Sequence, residues 1–127
     1  MARHRRLGRR LAGGRVAPAR GEVWQLDFDP VRGREQGGRR PALVLSADTY
    51  NSGPSGLIVV APLTTRDKRV PLHVRIEPPE GGLARTSFVK IDDVRAVAKT
   101  RLGRRLGSVT PATLESAEAS LRILLDL

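Results

Sequence analysis

The 127-residue chain has no cysteine, two histidines and few aromatic residues, and these shortages exclude several kinds of site. Without cysteine it can form neither disulfides nor thiolate metal sites. His4 lies in an Arg-rich segment and His73 at a strand position that should face solvent, so neither a two-histidine ribonuclease site nor a zinc site is expected. No run approaches the roughly 20 apolar residues of a membrane-spanning helix, so we expect a soluble protein.

The net charge of +10 is unevenly distributed along the chain. Residues 1–20 hold seven of the 23 basic residues and no acid, so residues 21–127 carry 16 basic and 13 acidic residues, a net of +3. Residues 1–19, rich in Arg, Gly and Ala, are predicted to be a disordered basic extension. An organelle transit peptide is the alternative interpretation of this segment. Residues 20–127 are predicted to form one domain.

Short apolar runs separated by Gly, Pro and Asp follow from Gly21 onward and are typical of short β-strands. The predicted strands are Glu22–Phe28, Ala42–Ser46, Leu57–Leu63, Leu72–Ile76, Ser87–Ile91 and Val94–Ala98. Residues 29–41, DPVRGREQGGRRP, are predicted to be a mobile basic loop. The alternation in strand 72–76 should turn His73 and Arg75 to solvent.

The C-terminal residues have the pattern of an amphipathic helix. Thr110 can cap its N-terminus and Pro111 suits its first position. The apolar residues at helical spacing are Leu114, Ala117, Leu121 and Leu124. About six strands and this helix predict an α+β, mainly β domain, with a small, strongly bent sheet or partly open barrel packed on the helix.

The acidic residues give little support to metal chemistry. Asp92 and Asp93 would point to opposite sides if a strand continued through them, and they otherwise mark a turn. No paired-carboxylate magnesium site is therefore predicted, and we expect neither a metal nor another cofactor.

The basic loop and the end of a buried strand hold the groups best suited to bind a phosphate. Arg39 and Arg40 follow two glycines that permit close backbone approach, and their guanidinium groups are planar and permanently charged. Thr64 and Thr65 place hydroxyls at the end of strand 57–63. On these residues alone, a solvated loop and an ordinary pair of strand-ending threonines are the simpler interpretation.

Four segments carry a likeness to known proteins, and they are Arg20–Asn51, Val59–Thr65 (VVAPLTT), Ser87–Val97 (SFVKIDDVRAV) and Thr100–Thr110 (TRLGRRLGSVT). In this order and spacing they resemble the MazF/PemK family of toxin endoribonucleases. The likeness extends over about residues 20–127. It implies a small SH3-like barrel of about six short strands with a C-terminal helix, assembled as a homodimer in the bacterial cytoplasm.

The resemblance also implies an activity and its residues. The family's toxins belong to type II toxin–antitoxin systems and cut single-stranded RNA at short sequences without a metal, leaving a 2′,3′-cyclic phosphate and a 5′-hydroxyl. Such cleavage stops translation and growth. The family's catalytic arginine matches Arg40, its threonine matches Thr64, and Glu35 and Gln36 match loop positions that contact RNA. The expected protein partner is a cognate antitoxin whose acidic, disordered tail folds along the basic groove.

Further RNA contacts are expected at Arg20, Arg34, Arg39, Thr65 and Asp93. Family members often have a small residue where Arg34 stands and glutamine where Asp93 stands. These departures bear on the cleaved sequence rather than on the chemistry. Arg34 could strengthen phosphate binding, and Asp93 could prefer base donors such as the cytosine amino group.

The reaction itself sets the catalytic roles. The 2′-hydroxyl of the RNA attacks the adjacent phosphorus in line with the leaving 5′-oxygen, so the protein must align these atoms and stabilise charge on the phosphoryl oxygens. Arg40 can bind two of those oxygens and supply a proton or hydrogen bond to the leaving oxygen, and Thr64 can add a donor. A guanidinium is a poor base at neutral pH, so the general base stays unassigned.

Two other functions fit a barrel of this kind. A gyrase poison would bind a protein target without cutting RNA, but those related toxins rely on a distinctive, often aromatic, end of the C-terminal helix, whereas this chain ends LLDL. A non-catalytic RNA-binding barrel usually stacks bases on several aromatic residues, and this chain is only 3% aromatic.

Overall fold

The computed structural model describes residues 17–28 and 38–127. Its strands and helices are β1 (Glu22–Asp27), β2 (Arg39–Val44), α1 (Asp48–Asn51), β3 (Leu57–Thr64), β4 (Val74–Ile76), β5 (Ser87–Val89), β6 (Arg95–Ala98), β7 (Leu102–Ser108) and α2 (Pro111–Leu125). Short 3-10 turns lie at Glu80–Gly82, Ile91–Asp93 and Lys99–Arg101. Within these described residues, no helix has both the length and the apolar character needed to cross a membrane.

The strands form one antiparallel sheet in which β3 is central. The strand order is β4-β5-β3-β2-β1-β7, and β6 also pairs with β3. Val60 of β3 pairs with Val44 of β2 on one edge and with Arg95 of β6 on the other. The end of β3 then pairs with β5. The central strand therefore joins the two ends of the sheet.

One face of the sheet is concave and encloses its own apolar cluster, which consists of Leu26, Phe28, Ala42, Val44, Ile58, Val60 and Val97. In a flat sheet β1 and β6 would be three strand spacings apart, about 14 Å. The guanidinium carbon of Arg95 in β6 nevertheless lies 4.4 Å from the centre of the Phe28 ring, just after β1. The sheet therefore curls into a half-barrel, and we call this concave surface the inner face.

The opposite, outer face packs against α2 and the β4–β5 pair. Its cluster includes Val23, Leu43, Ala61, Leu63, Ile76, Val89 and Ala117. Ala117 of α2 is 0% exposed, so the helix approaches the sheet closely, and Leu114 and Leu121 pack beside it. The Thr110 hydroxyl caps the helix by accepting a hydrogen bond from the Thr113 amide at 3.2 Å. The predicted mainly β fold with a closing C-terminal helix is confirmed.

The sheet differs from the sequence prediction in two places. β2 begins at Arg39 rather than Ala42, because Arg39 and Arg40 pair with Asp27 and Leu26 of β1. The end of the predicted loop is therefore strand, and residues 29–37 lie outside the described residues. β7 was missed because it is mostly exposed and packs little apolar surface, so burial imposes no alternating pattern on its sequence.

The expectation that His73 faces solvent is wrong. Its side chain is 3% exposed, and its Nε2 lies 2.8 Å from Oδ1 of Asp92. β4 begins only at Val74, so His73 precedes the strand and its alternation does not apply there. Arg75, inside the strand, is exposed as predicted. Asp92 and Asp93 lie in a 3-10 turn.

Residues 17–19, which the sequence pattern placed in the basic extension, are buried against the rest of the described chain. Ala17 and Ala19 are 0% exposed, and the Ala19 amide donates to the Glu22 carboxylate at 2.6 Å. That buried carboxylate also accepts hydrogen bonds from Trp24 Nε1 at 3.0 Å and Arg105 Nε at 2.8 Å. The Glu22 carboxylate thus ties residues 17–19 to β1 and β7, and residues 1–16 lie outside the described residues.

The last turn of α2 is less buried than its spacing predicted. Leu124 was placed on the buried face but is 36% exposed. Its neighbours Ile123 and Leu125 are 72% and 54% exposed, and the terminal Leu127 is 84% exposed. The helix therefore ends in an apolar surface that the described part of this chain does not cover.

Alanine substitutions at two glycines with positive φ test the contact between the Glu80–Gly82 turn and β7. A Cβ at Gly82 (φ 69°) would lie 1.9 Å from the Leu106 carbonyl oxygen, whereas a Cβ at Gly56 (φ 77°) meets nothing within 4 Å. Gly56→Ala should cost only the left-handed strain, about 1–2 kcal/mol. Gly82→Ala should cost considerably more, because backbone must move. Urea unfolding followed by circular dichroism measures both, and equal losses would contradict the prediction.

Candidate active site at the rim of the half-barrel

The register of β2 and β3 brings Arg40 and Thr64 to the same end of the inner face. The β2–β3 ladder ends where Ala42 pairs with Pro62. Continued two residues further in the same register, it sets Arg40 opposite Thr64. Alternate residues of a strand share a face, so both side chains lie on the inner face, at the end of the half-barrel that we call the rim.

Arg40 is positioned by pairing with β1. It lies opposite Leu26, and the Phe28 amide donates to the Gly38 carbonyl at 3.0 Å, which continues the pairing past the end of β1. Gly38 has φ 75°, a conformation that favours glycine where the chain turns into β2. The Arg40 side chain is therefore carried on a paired strand and is half-buried at the rim.

Thr64 is 5% exposed and its side chain is fixed by the following residues. Its Oγ1 accepts a hydrogen bond from the Arg66 amide at 3.2 Å. A hydroxyl that accepts in this way keeps its own hydrogen for donation. Thr64 is therefore arranged as a donor at the end of β3, whereas the next residue, Thr65, is exposed.

Arg95 reaches the same rim, although sequence reasoning did not single it out. Its guanidinium lies over Phe28, and its Nη2 is 3.3 Å from Oδ2 of Asp93. Nζ of Lys90 is 3.6 Å from the same oxygen. The three charged side chains are 8–17% exposed. The sequence contained a signal for Arg95, since it stands two residues before the buried Val97 and so shares its face.

The positive charge at this end of β3 also changes the ionisation of a neighbouring lysine. The pKa of Lys68 is lowered from its ordinary value, first by the positive charge of Lys90, then by desolvation and by Arg66. Crowded cations of this kind make the binding of a negatively charged phosphate more favourable. The surface beyond Thr64 thus carries a cluster of cations, Arg66, Lys68 and Lys90.

Arg20 is not brought to the rim. Its guanidinium binds the Leu45 carbonyl and the Glu118 carboxylate of α2, and its amide donates to Asp48 Oδ1 at 2.7 Å. These contacts fasten the chain before β1 to the outer side of the sheet. The sequence pattern could not distinguish this role from a phosphate contact.

The remaining predicted residues fall into three groups. Asp93 lies at the rim, where its Oδ2 is already engaged by Lys90 and Arg95. Arg39 is exposed, but it precedes Arg40 in the strand and so projects from the opposite face. The loop residues Arg34, Glu35 and Gln36 lie outside the described residues. In residues 17–28 and 38–127, no three His, Cys, Asp or Glu side chains are grouped to hold a metal ion.

Comparison with known proteins identifies the family of this chain. A family model described as PemK-like, MazF-like toxin of type II toxin–antitoxin system matches residues 19–125. Endoribonuclease MazF9 of Mycobacterium tuberculosis is 36% identical over 113 residues, which cover 85% of this chain and 96% of the relative.

Solved structures give the same family. The crystal structure of MazF from Deinococcus radiodurans has a TM-score of 0.79 at 35% identity and covers 87% of this chain and 98% of that chain. A MazE–MazF crystal structure from the same organism has a TM-score of 0.72 at 34% identity and covers 87% and 97%. Motifs, fold and relatives agree, and the chain belongs to the PemK-like, MazF-like family of toxins of type II toxin–antitoxin systems.

Proposed function

We propose that the protein is a toxin endoribonuclease that cuts single-stranded RNA at the rim of its half-barrel without a metal, leaving 2′,3′-cyclic phosphate and 5′-hydroxyl ends. The proposal rests on the β2–β3 register, which ends at Ala42 opposite Pro62 and, continued two residues further, sets Arg40 opposite Thr64 on the inner face. The relative named endoribonuclease MazF9 is matched over 96% of its length, which favours cleavage over a gyrase poison or a non-catalytic RNA-binding barrel.

Arg40 and Thr64 divide the electrostatic work of the reaction. Arg40 binds the phosphoryl oxygens as charge develops on them and donates to the leaving 5′-oxygen. Thr64 donates its remaining hydroxyl hydrogen to the same phosphoryl group, held in place by the Arg66 amide. Both groups are pre-positioned by the sheet, so little reorganisation is required when the RNA binds.

The surrounding residues bind and orient the RNA. Arg95 and Lys90 supply positive charge at the rim, and Asp93 holds both of them there. Thr65 contacts the RNA beside Thr64, and the loop residues Arg34, Glu35 and Gln36 contact it from the segment preceding β2. Arg20 and Arg39 project from the outer side, so they contact only RNA that extends beyond the rim.

Two protein partners complete the proposal. One is an antitoxin with an acidic, disordered tail that neutralises the rim cations and occludes the site. A related MazF has been crystallised with MazE, which supports a partner of this class. The other partner is a second copy of this chain, supported by the exposed apolar end of α2. We place the protein in the bacterial cytoplasm, where its RNA substrate is made.

The cleavage proposal predicts activity in chelator that depends on Arg40. The full-length protein, incubated with unstructured RNA in excess EDTA, should give fragments with 2′,3′-cyclic phosphate ends. Arg40→Ala should lower kcat/KM roughly 100-fold to 1000-fold, the loss typical of removing a donor to a developing oxyanion. Thr64→Val should lower it about 10-fold, through one lost hydrogen bond.

Arg104→Ala is the matched control, because Arg104 is an exposed arginine on β7. It should cut like the wild type. A requirement for magnesium, or full activity in both Arg40→Ala and Thr64→Val, would contradict the proposal.

Asp93→Asn separates two roles of this residue. If Asp93 mainly holds Lys90 and Arg95, the variant should lose about 1–3 kcal/mol of stability, as expected for weakened hydrogen bonds to charged groups, and should cut all sites more slowly. Thermal melts and fragment mapping on a long RNA measure both effects. A changed cleavage motif with unchanged stability would instead assign Asp93 to base reading.

The proposed homodimer predicts a measurable mass. Light scattering on the eluting full-length protein should give twice the 13.8 kDa of one chain. Ile123→Ser combined with Leu125→Ser should shift the protein towards monomer, because both side chains are exposed and apolar. Ala112→Ser with Ala119→Ser, exposed elsewhere on α2, is the control. A monomeric wild type would contradict the homodimer, and an unchanged double variant would exclude this surface as its interface.

A further inference from the structure

Phe88 places an aromatic ring beside the proposed cleavage site. It lies in β5 directly opposite Thr64 of β3. Opposed residues in antiparallel strands have Cβ atoms about 4.5–5.5 Å apart and point to the same face. The Phe88 ring therefore stands on the rim next to the hydroxyl that we assign to the phosphoryl group.

The two apolar clusters do not account for this ring. Phe88 is half-buried and, among the described residues, belongs to neither the inner nor the outer cluster. Its neighbour Val89 is 0% exposed in the outer cluster, so Phe88 projects away from that cluster. On its other side Phe88 pairs with Arg75 of β4, whose side chain is 62% exposed and binds Glu77. The ring therefore lies between two polar neighbours, Thr64 and Arg75, rather than within an apolar core.

The other three aromatic residues cannot stack on RNA at the rim. Phe28 is 2% exposed and lies beneath the Arg95 guanidinium. Trp24 packs on the inner cluster and donates to Glu22. Tyr50 is 40% exposed, but it lies in α1, beyond the end of β2 that is remote from Arg40. Of the four aromatic side chains, Phe88 alone is both partly exposed and next to Thr64.

We propose that Phe88 stacks on the base of a nucleotide adjoining the cleaved phosphate and so sets which phosphate reaches Arg40 and Thr64. The inference rests on the proposed function, because it requires RNA at the rim. Every base has a face that can stack on an aromatic ring, so Phe88 provides affinity and alignment with little preference among bases. Discrimination between bases is then left to polar groups.

Binding to uncleavable RNA tests the stacking separately from the chemistry. The RNA is an oligonucleotide built around one mapped cleavage site, with a 2′-deoxyribose at the attacking position. Two further versions replace the base on the 5′ or the 3′ side of the cleaved phosphate by an abasic residue. Fluorescence anisotropy gives the dissociation constant of each version for the wild type, Phe88→Leu, Phe88→Tyr and the control Tyr50→Leu, which removes an exposed aromatic ring elsewhere.

The wild type should bind one abasic version roughly 10-fold more weakly than the intact oligonucleotide, a loss typical of one base–aromatic stack. Phe88→Leu should bind the intact version as weakly and no longer distinguish that abasic version. Phe88→Tyr and Tyr50→Leu should behave as the wild type. Phe88→Leu that binds as tightly as the wild type, or that keeps the full abasic penalty, overturns the inference.

A tryptophan at position 88 gives a second readout that does not depend on Phe88→Leu being folded. The fluorescence of Phe88→Trp, corrected for Trp24 with the wild type, should be quenched by the intact oligonucleotide and not by the abasic version. Equal quenching by both would overturn the inference. Failure of the wild type to cut the all-ribose parent in chelator would instead refute the proposed function, so the two failures are distinguishable.

Discussion

The register between β2 and β3 is the constraint on which the rest of this structure depends. A slip of one residue would move every side chain of β2 to the other face. Arg40 would then leave the rim, and Ala42 and Val44 would leave the inner cluster, where both are 0% exposed. The apolar residues that fix the register therefore also fix the strand position of Arg40 relative to Thr64. Packing in the half-barrel therefore determines where Arg40 lies.

At the rim, the buried apolar residues of the strands lie directly beside the polar side chains of the proposed site. Along β3 the residues from Val60 to Leu63 are buried, and the strand becomes polar only at its last residue, Thr64. Arg95 follows the same rule in β6: its backbone pairs with Val60 while its long side chain crosses over Phe28 to the rim. The proposed functional groups thus lie beside the ends of ordered strands, so the core sets their positions.

Sequence reasoning succeeded where burial imposes a pattern. The alternation of β1, the continuous apolar run of β3 and the helical spacing before Leu121 predicted those elements because each has a buried face. It failed where pairing with a neighbouring strand, rather than burial, stabilises the strand, as in exposed β7 and at Arg39–Pro41. The roles of Arg40 and Thr64 were assigned through family motifs. Arg20 and His73 show that the sequence does not reveal which partner will engage a charged or titratable residue. The partner is Glu118 for Arg20 and Asp92 for His73.

The net charge of this domain understates the positive charge that is concentrated at one end of β3. Residues 21–127 carry a net of only +3, yet Lys68 and Lys90 lie close enough together at one end of β3 for Lys90 to lower the pKa of Lys68. Ionic screening limits electrostatic attraction to about 8–10 Å in physiological salt. In the proposed function, a phosphate at the rim therefore responds to these cations and to Arg40, and hardly to charge elsewhere on the domain. The proposed function thus has a domain of nearly balanced charge bind a polyanion at one place, where the acidic segment of the proposed antitoxin competes with RNA.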